Sequence, residues 1–212
     1  MADRAPPSRA RRLWVQERLQ HARRAADLLD HKRQILRIEE ERAVRALDDA
    51  RTGWKTTSTR AAGLALRAEA LAGAWAVQVA GRPLQGRADV QVDERETVGV
   101  IHPGNALVDL PTPTGLQSAA GGPLIALAGG AHAEALRAAA RLAVADTTVR
   151  RLQAERRLTE RRQRAVARIR IPALEAELRL LNERLEELER QDQVVVRWVS
   201  GHRSDPPIPS GR

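Results

Sequence analysis

From Val15 onward, apolar residues recur at alternating steps of four and three: Leu19, Ala22, Ala26, Leu29, Leu36, Ala43, Leu47, Ala50 and Trp54, with only Arg33 and Glu40 interrupting. Such a stripe belongs to a helix that packs lengthwise on a partner helix. The stretch "RTGWKTTSTR" weakens the pattern with Gly53 and a cluster of β-branched threonines, which places a soft point there. "AAGLALRAEALAGAWAVQVA" then resumes an Ala-rich helical sequence. The pattern predicts a flexible segment over 1–10 and one long helix over 11–80.

Over 81–130 prolines and glycines crowd together and the helical period lapses, which predicts a small irregular insert. Within it Val90 and Val92 alternate with polar residues, "DERE" reads as a turn, and Val98 and Val100 alternate again. That is the pattern of a β-hairpin with one apolar face. "IHPGN" and "LPTPTG" read as turn and loop, and the glycine pairs of "AGGP" and "AGGA" as hinges at the base of the next helix.

The helical period returns over 131–200. Ala138, Leu142, Ala145, Val149 and Leu152 form one stripe, and Leu174, Leu178, Leu181, Leu185, Leu188, Val195 and Val199 another. Leu152 and Leu174 are 22 residues apart, one more than three heptads. The stripe therefore slips by a residue within "ERRLTERRQRAVARIRIP". The same stretch ends in Pro172, a residue that costs a helix interior ~3 kcal/mol and a hydrogen bond. Ile171 before it is not a capping residue, so a bend inside a continuing helix is expected, not a fresh start. The tail, 201–212, reads as disordered.

Two helices of about 60 residues each can bury their stripes only against each other. The expected fold is mainly α: a long antiparallel two-helix coiled coil, or α-hairpin, roughly 90 Å long at ~1.5 Å per residue. Both chain ends then share one tip, with Trp14 near Trp198, and the insert with its β-hairpin sits at or near the other end. Alanine at many seam positions lets the helices approach closely.

Composition supports this architecture. Only 2% of the chain is aromatic, with no Phe or Tyr, so a large compact core is hard to build, while Ala, Leu, Arg and Glu suit long helices. Cysteine is absent, which removes disulfides and thiolate metal sites. The basic start "MADRAPPSRARRLW" is not followed by an apolar run and does not read as a secretory signal, and no stretch approaches the ~20 apolar residues of a membrane span. The net charge of +9 raises nucleic-acid binding as a reading. Acids interleaved at helical spacing, as in Glu41 with Arg45, Glu175 with Arg179 and Glu186 with Arg190, instead describe a solvated helix surface.

No catalytic, cofactor or metal constellation is legible. Neither lysine, Lys32 or Lys55, follows a phosphate-binding glycine loop, the five histidines lack ligand spacing, and "TTSTR" has no base to activate a hydroxyl.

"ADLLDHKRQIL", Ala26 to Leu36, resembles the amino-terminal helix of the D subunit of the V-type and archaeal-type rotary ATPases, where a D-L-L-x-x-K-R-D-x-L pattern recurs. Asp27, Leu28, Leu29, Lys32, Arg33 and Leu36 fit it, and Gln34 stands where an acid is common. "RRQRAVARIRIPALEAELRLLNERLEELERQD" is similar to that family's R-R-V-N-A-L-E-x-V-V-I-P segment and the helix after it, with Arg161, Arg162, Ala165, Ile171 and Pro172 coinciding. Arg164 replaces the usual Asn, and "QVVVRWV" stands where a Phe- and Lys-rich end is common.

The resemblance implies a non-catalytic central rotor shaft of a proton- or sodium-translocating ATPase or ATP synthase, peripheral to the membrane on its cytoplasmic side. Its tip, with Trp14 and Trp198, would sit within a head of catalytic and regulatory nucleotide-binding subunits. The insert, through Val90, Val92, Val98 and Val100, would meet a membrane-rotor socket subunit, and a small companion subunit would bind the shaft's side. No cofactor, nucleic acid or membrane insertion is implied. Pro172 and the one-residue slip would leave the shaft curved and locally overwound. The rival reading is a basic coiled-coil arm for nucleic acid, or a scaffold.

Overall fold

The computed structural model describes residues 8–81, 87–111 and 122–202, with the side chains of 201 and 202 left aside. Helix α1 spans Arg9–Ala72 and a short α2 spans Ala74–Ala80. Strands β1, Asp89–Thr97, and β2, Val100–Asp109, follow. Helix α3, Gly122–Ala165, then passes through one π-helical segment, Val166–Arg170, into α4, Ile171–His202. The chain is mainly helical, a pair of long helices packed together with a two-stranded antiparallel insert. The extreme amino terminus, the tail after 202, 82–86 and most of "LPTPTG" lie outside the described residues.

Two compact units divide the chain: 1–31 with 160–212, and 32–159. In the first, Val15 and Leu19 of α1 pack with Leu174 and Leu181 of α4, and Ala22, Ile171 and Leu178 close around them. Arg9 pairs with Glu189 and Arg23 with Glu175, so position rises on one helix as it falls on the other and the pair is antiparallel. The second unit follows the same rule, from Lys32 with Glu155 to Arg60 with Glu134. Its seam thins to alanine, with Ala61 and Ala68 buried on α1 and Ala128, Ala131 and Ala138 on α3. The small side chain is what permits close approach there.

Helix α1 runs unbroken through Gly53. The hydroxyls of Thr56, Thr57, Ser58 and Thr59 donate to carbonyls three or four residues back, which satisfies them without leaving the helix. The break falls instead at Gly73, whose φ of 83° and ψ of 151° only glycine adopts at little cost. Of the two glycine pairs, the first includes Gly122 and Pro123 at the start of α3, as expected of a helix base. The second, Gly129 and Gly130, lies inside α3 and is no hinge, because helical periodicity begins earlier than 131.

The extra residue of the stripe is taken up at Val166–Arg170, immediately before Pro172. There the Ile171 N–H donates to the Val166 carbonyl, five residues back instead of four. Within this unit the partly buried positions Gln163, Ala167 and Ile171 step by four twice in succession before Leu174, Leu178 and Leu181 resume the three-four rhythm. A proline ring clashes with the carbonyl four residues back and lacks the N–H to bond it. The wider π turn accommodates both faults. It holds more residues per turn, so the backbone here is underwound, the reverse of the overwinding the slip suggested.

The hairpin departs furthest from expectation. Asp93–Glu96 belong to β1, and the turn is the pair Val98–Gly99, both with positive φ, 51° and 77°. "IHPGN" is not a turn but part of β2, where the register shift between Val92 and Glu94 leaves Gly104 and Asn105 opposite Asp93 as a bulge. Across the two-residue turn Thr97 pairs with Val100, so odd-numbered residues of β1 lie on the face of Val100, while beyond the bulge Val92 pairs with Ala106 and Val90 with Val108. Val90 and Val92 therefore lie on the face opposite Val100. Val100 is 8% exposed and packs with Leu36 of α1 and Leu152 of α3, whereas Val90 and Val92 are each 48% exposed.

A β-branched residue in the left-handed region is strained, typically by about 1 to 3 kcal/mol. Val98→Asn, which suits this turn, should raise stability by about 1 kcal/mol, read as a higher denaturant midpoint with unchanged slope.

Candidate functional site

No enclosed cavity or metal-ligating cluster organises the described residues. What the fold offers is surface, built by the elements above. The motif around Asp27 divides by helix face. Leu36 is fully buried and Leu29 partly so, while Asp27 and Leu28 point to solvent. Lys32 reaches across to Glu155 at 2.8 Å with both side chains three-quarters covered, and Arg33 is partly buried beside it in sequence. Arg161, Arg162 and Pro172 are exposed, and Arg164 pairs with Glu160 one turn before it.

The interruption of the α1 stripe at Glu40 has a structural reason that the sequence pattern alone did not supply. Its carboxylate, 15% exposed, accepts from the Nε–H of Arg156 on α3, so a charge at a seam position is answered from the facing helix. The residue type at the wrong place in the stripe was the available signal.

The hairpin is held on its helices by a second set of contacts unread in the sequence. The Thr148 hydroxyl donates to the Pro103 carbonyl at 2.9 Å, and Arg151 donates to the Ile101 carbonyl at 2.9 Å. These α3 side chains take up carbonyls of β2 where it faces the helix. Buried His102 donates from Nδ1 to the Pro103 carbonyl at 3.0 Å, and its Nε2 shares a hydrogen bond with the Thr97 hydroxyl at 3.0 Å. The hairpin is thus docked at the level of Leu36 and Leu152. Helix α1 continues about 54 Å past Leu36 to Ala72, at ~1.5 Å per residue. The hairpin consequently lies along the side of its helix pair and not at the pair's far end, because Val100 finds its apolar partners there.

Nor are the two terminal tryptophans together. Trp14 neighbours the Val15, Leu174 and Leu181 cluster, while Trp198 is exposed roughly 25 Å beyond Leu181 along α4, at ~1.5 Å per residue. Val194, Val195, Val196 and Trp198, on the last turns of α4, are largely exposed. At the other end of α1, Leu71 and Trp75 are 82% and 78% exposed.

These features define a class: a two-helix coiled-coil protein whose side and end surfaces, more than any pocket, face other molecules. The chain belongs to the ATP synthase D-subunit family, whose sequence model matches residues 13–201, and it is accordingly a central-stalk component of a V/A-type ATPase. It is similar to the A-type ATP synthase D subunit of Thermococcus gammatolerans, 26% identical over 193 residues that cover 88% of each chain. Among the described residues, no helix is long and apolar enough to cross a membrane.

Removing one member of the Glu40–Arg156 pair leaves the other poorly solvated, whereas removing both spares that cost. Glu40→Gln should destabilise the chain by about 1 to 3 kcal/mol, while Glu40→Leu with Arg156→Leu should recover the wild-type midpoint or exceed it. Urea unfolding of the two variants separates these outcomes.

Proposed function

We propose that this protein is the rotor shaft of its complex, a non-catalytic part that passes torque between the nucleotide-binding head and an ion-translocating membrane rotor. The observation that carries the reading is the family match, which runs through both long helices and the hairpin. The chemistry of the surface suits the task. Ion pairs such as Arg9–Glu189 and Arg60–Glu134 flank the seam and keep it solvated, and small alanines keep the helix pair thin in its second unit.

In this reading the open end of α4 around Trp198 enters the head of catalytic and regulatory subunits. Leu71 and Trp75 meet the membrane-rotor socket, a role that buried Val100 cannot fill. Val90 and Val92 present an apolar face sideways, where a small companion subunit would bind. The complex would then hold the chain peripheral to the membrane. The π turn and Pro172 give one side of the helix pair a surface unlike the other, so each catalytic interface meets a different face as the shaft turns.

The chain lacks cysteine, so Asp89→Cys on the exposed start of β1 gives a unique attachment point. With the head fixed to a surface, a bead on that cysteine should rotate in one direction when ATP is supplied. A bead that stays still while ATP is hydrolysed would refute the shaft assignment. Pro172→Ala should loosen the coupling between hydrolysis and ion transport in the reconstituted complex, and full coupling in that variant would remove the proline from the mechanism.

A further inference from the structure

Where α1 passes the π turn, the two helices leave an open recess of about 540 Å³ lined by Trp14, Arg18, His21, Ala22, Ala25, Val166 and Arg170. No acidic side chain lines it. The Arg18 guanidinium stacks over the Trp14 ring at 4.5 Å from the centroid, which holds the charge at the recess wall. Arg170 enters from the opposite helix, at the last position of the π turn. Neither arginine forms an ion pair among the described residues.

Other arginines of this unit bridge the seam. Arg9, Arg11 and Arg23 on α1 each reach a glutamate on α4, at 3.0, 2.9 and 2.8 Å. At the recess, by contrast, one arginine from each helix lines the same opening with no carboxylate beside them, so an anion entering there would be attracted by both. The floor is apolar, from Ala22, Ala25 and Val166. The opening is wide and shallow, so it suits a protruding side chain of a macromolecule better than an engulfed small molecule.

We propose that this recess receives an acidic segment of a partner subunit, one Asp or Glu carboxylate bridging Arg18 and Arg170 while a neighbouring apolar side chain rests against Trp14 and Val166. Arginine's planar fork matches a carboxylate in two-pronged geometry, and two forks on opposite helices read one bridging group. The proposal rests on assembly with partner subunits and is independent of whether the chain rotates. It gives the π turn a use, since Val166 and Arg170, at the two ends of that turn, both line the recess.

The test uses the full chain and purified head subunits of its own complex. Arg18→Glu with Arg170→Glu should weaken binding by about tenfold or more and flatten its dependence on salt, while Arg168→Glu, on the same turn but outside the recess, should change it less than about threefold. Circular dichroism confirms that the variants remain helical. A photo-crosslinker in place of His21 should attach to a peptide carrying Asp or Glu. Equal losses for the recess and control variants, or unchanged binding in the double variant, would overturn the proposal while leaving assembly intact. So would crosslinking to co-purified nucleic acid or phospholipid instead. A wild-type chain that captured no head subunit would overturn the assembly reading and this proposal together.

Discussion

Neither long helix can hide its apolar stripe by itself. An isolated helix of this length exposes a continuous row of leucine, valine and alanine to water, and only a second helix laid along it removes that area. Everything else follows from the seam so formed. The ion pairs lie where they do because they flank it. Glu40 is tolerated because Arg156 answers it, and the alanines of the second unit are tolerated because a closer approach compensates for their small size. The π turn exists because a stripe that gained one residue must still meet its partner.

The hairpin depends on the same seam in a different way. Two strands alone are marginal in water, and of the apolar side chains described on this pair it is Val100 that packs into a buried cluster. Its stability comes from the helices beneath it: Leu36 and Leu152 supply apolar contact, while Thr148 and Arg151 satisfy carbonyls that would otherwise face a protein surface unbonded. Docking fixes which valines remain available outside. Val90 and Val92 are free for another molecule because Val100 is not.

Function on this scaffold is a matter of surfaces. The arrangement places a basic, aromatic recess on one unit and an apolar strand face on the other, with exposed apolar side chains toward the helix ends. A protein that works by contact needs such features, and each has a recognisable complement: carboxylate for the two arginines, apolar side chains for the valines and for Leu71 and Trp75. The interleaved acids and bases over the rest of the helix faces leave those few places chemically distinct.

The sequence by itself determined the helices, the antiparallel seam, the existence of a hairpin and the presence of a one-residue slip before Pro172. These rest on periodicity, which reflects geometry repeated every few residues and therefore survives in a single chain read linearly. The family resemblance at "DLLDHKR" and "IRIP" was legible for the same reason, since it lies in ordered stretches of helix. Only the tertiary structure decided where the turn of the hairpin falls, and with it that Val90 and Val100 face apart. It alone decided that the hairpin docks at Leu36 and Leu152, that Trp14 and Trp198 stand well separated, and that Arg18 and Arg170 line one recess. Those outcomes depend on which distant surfaces come into register, and a shift of one residue at a tight turn reverses the facing of every side chain beyond it.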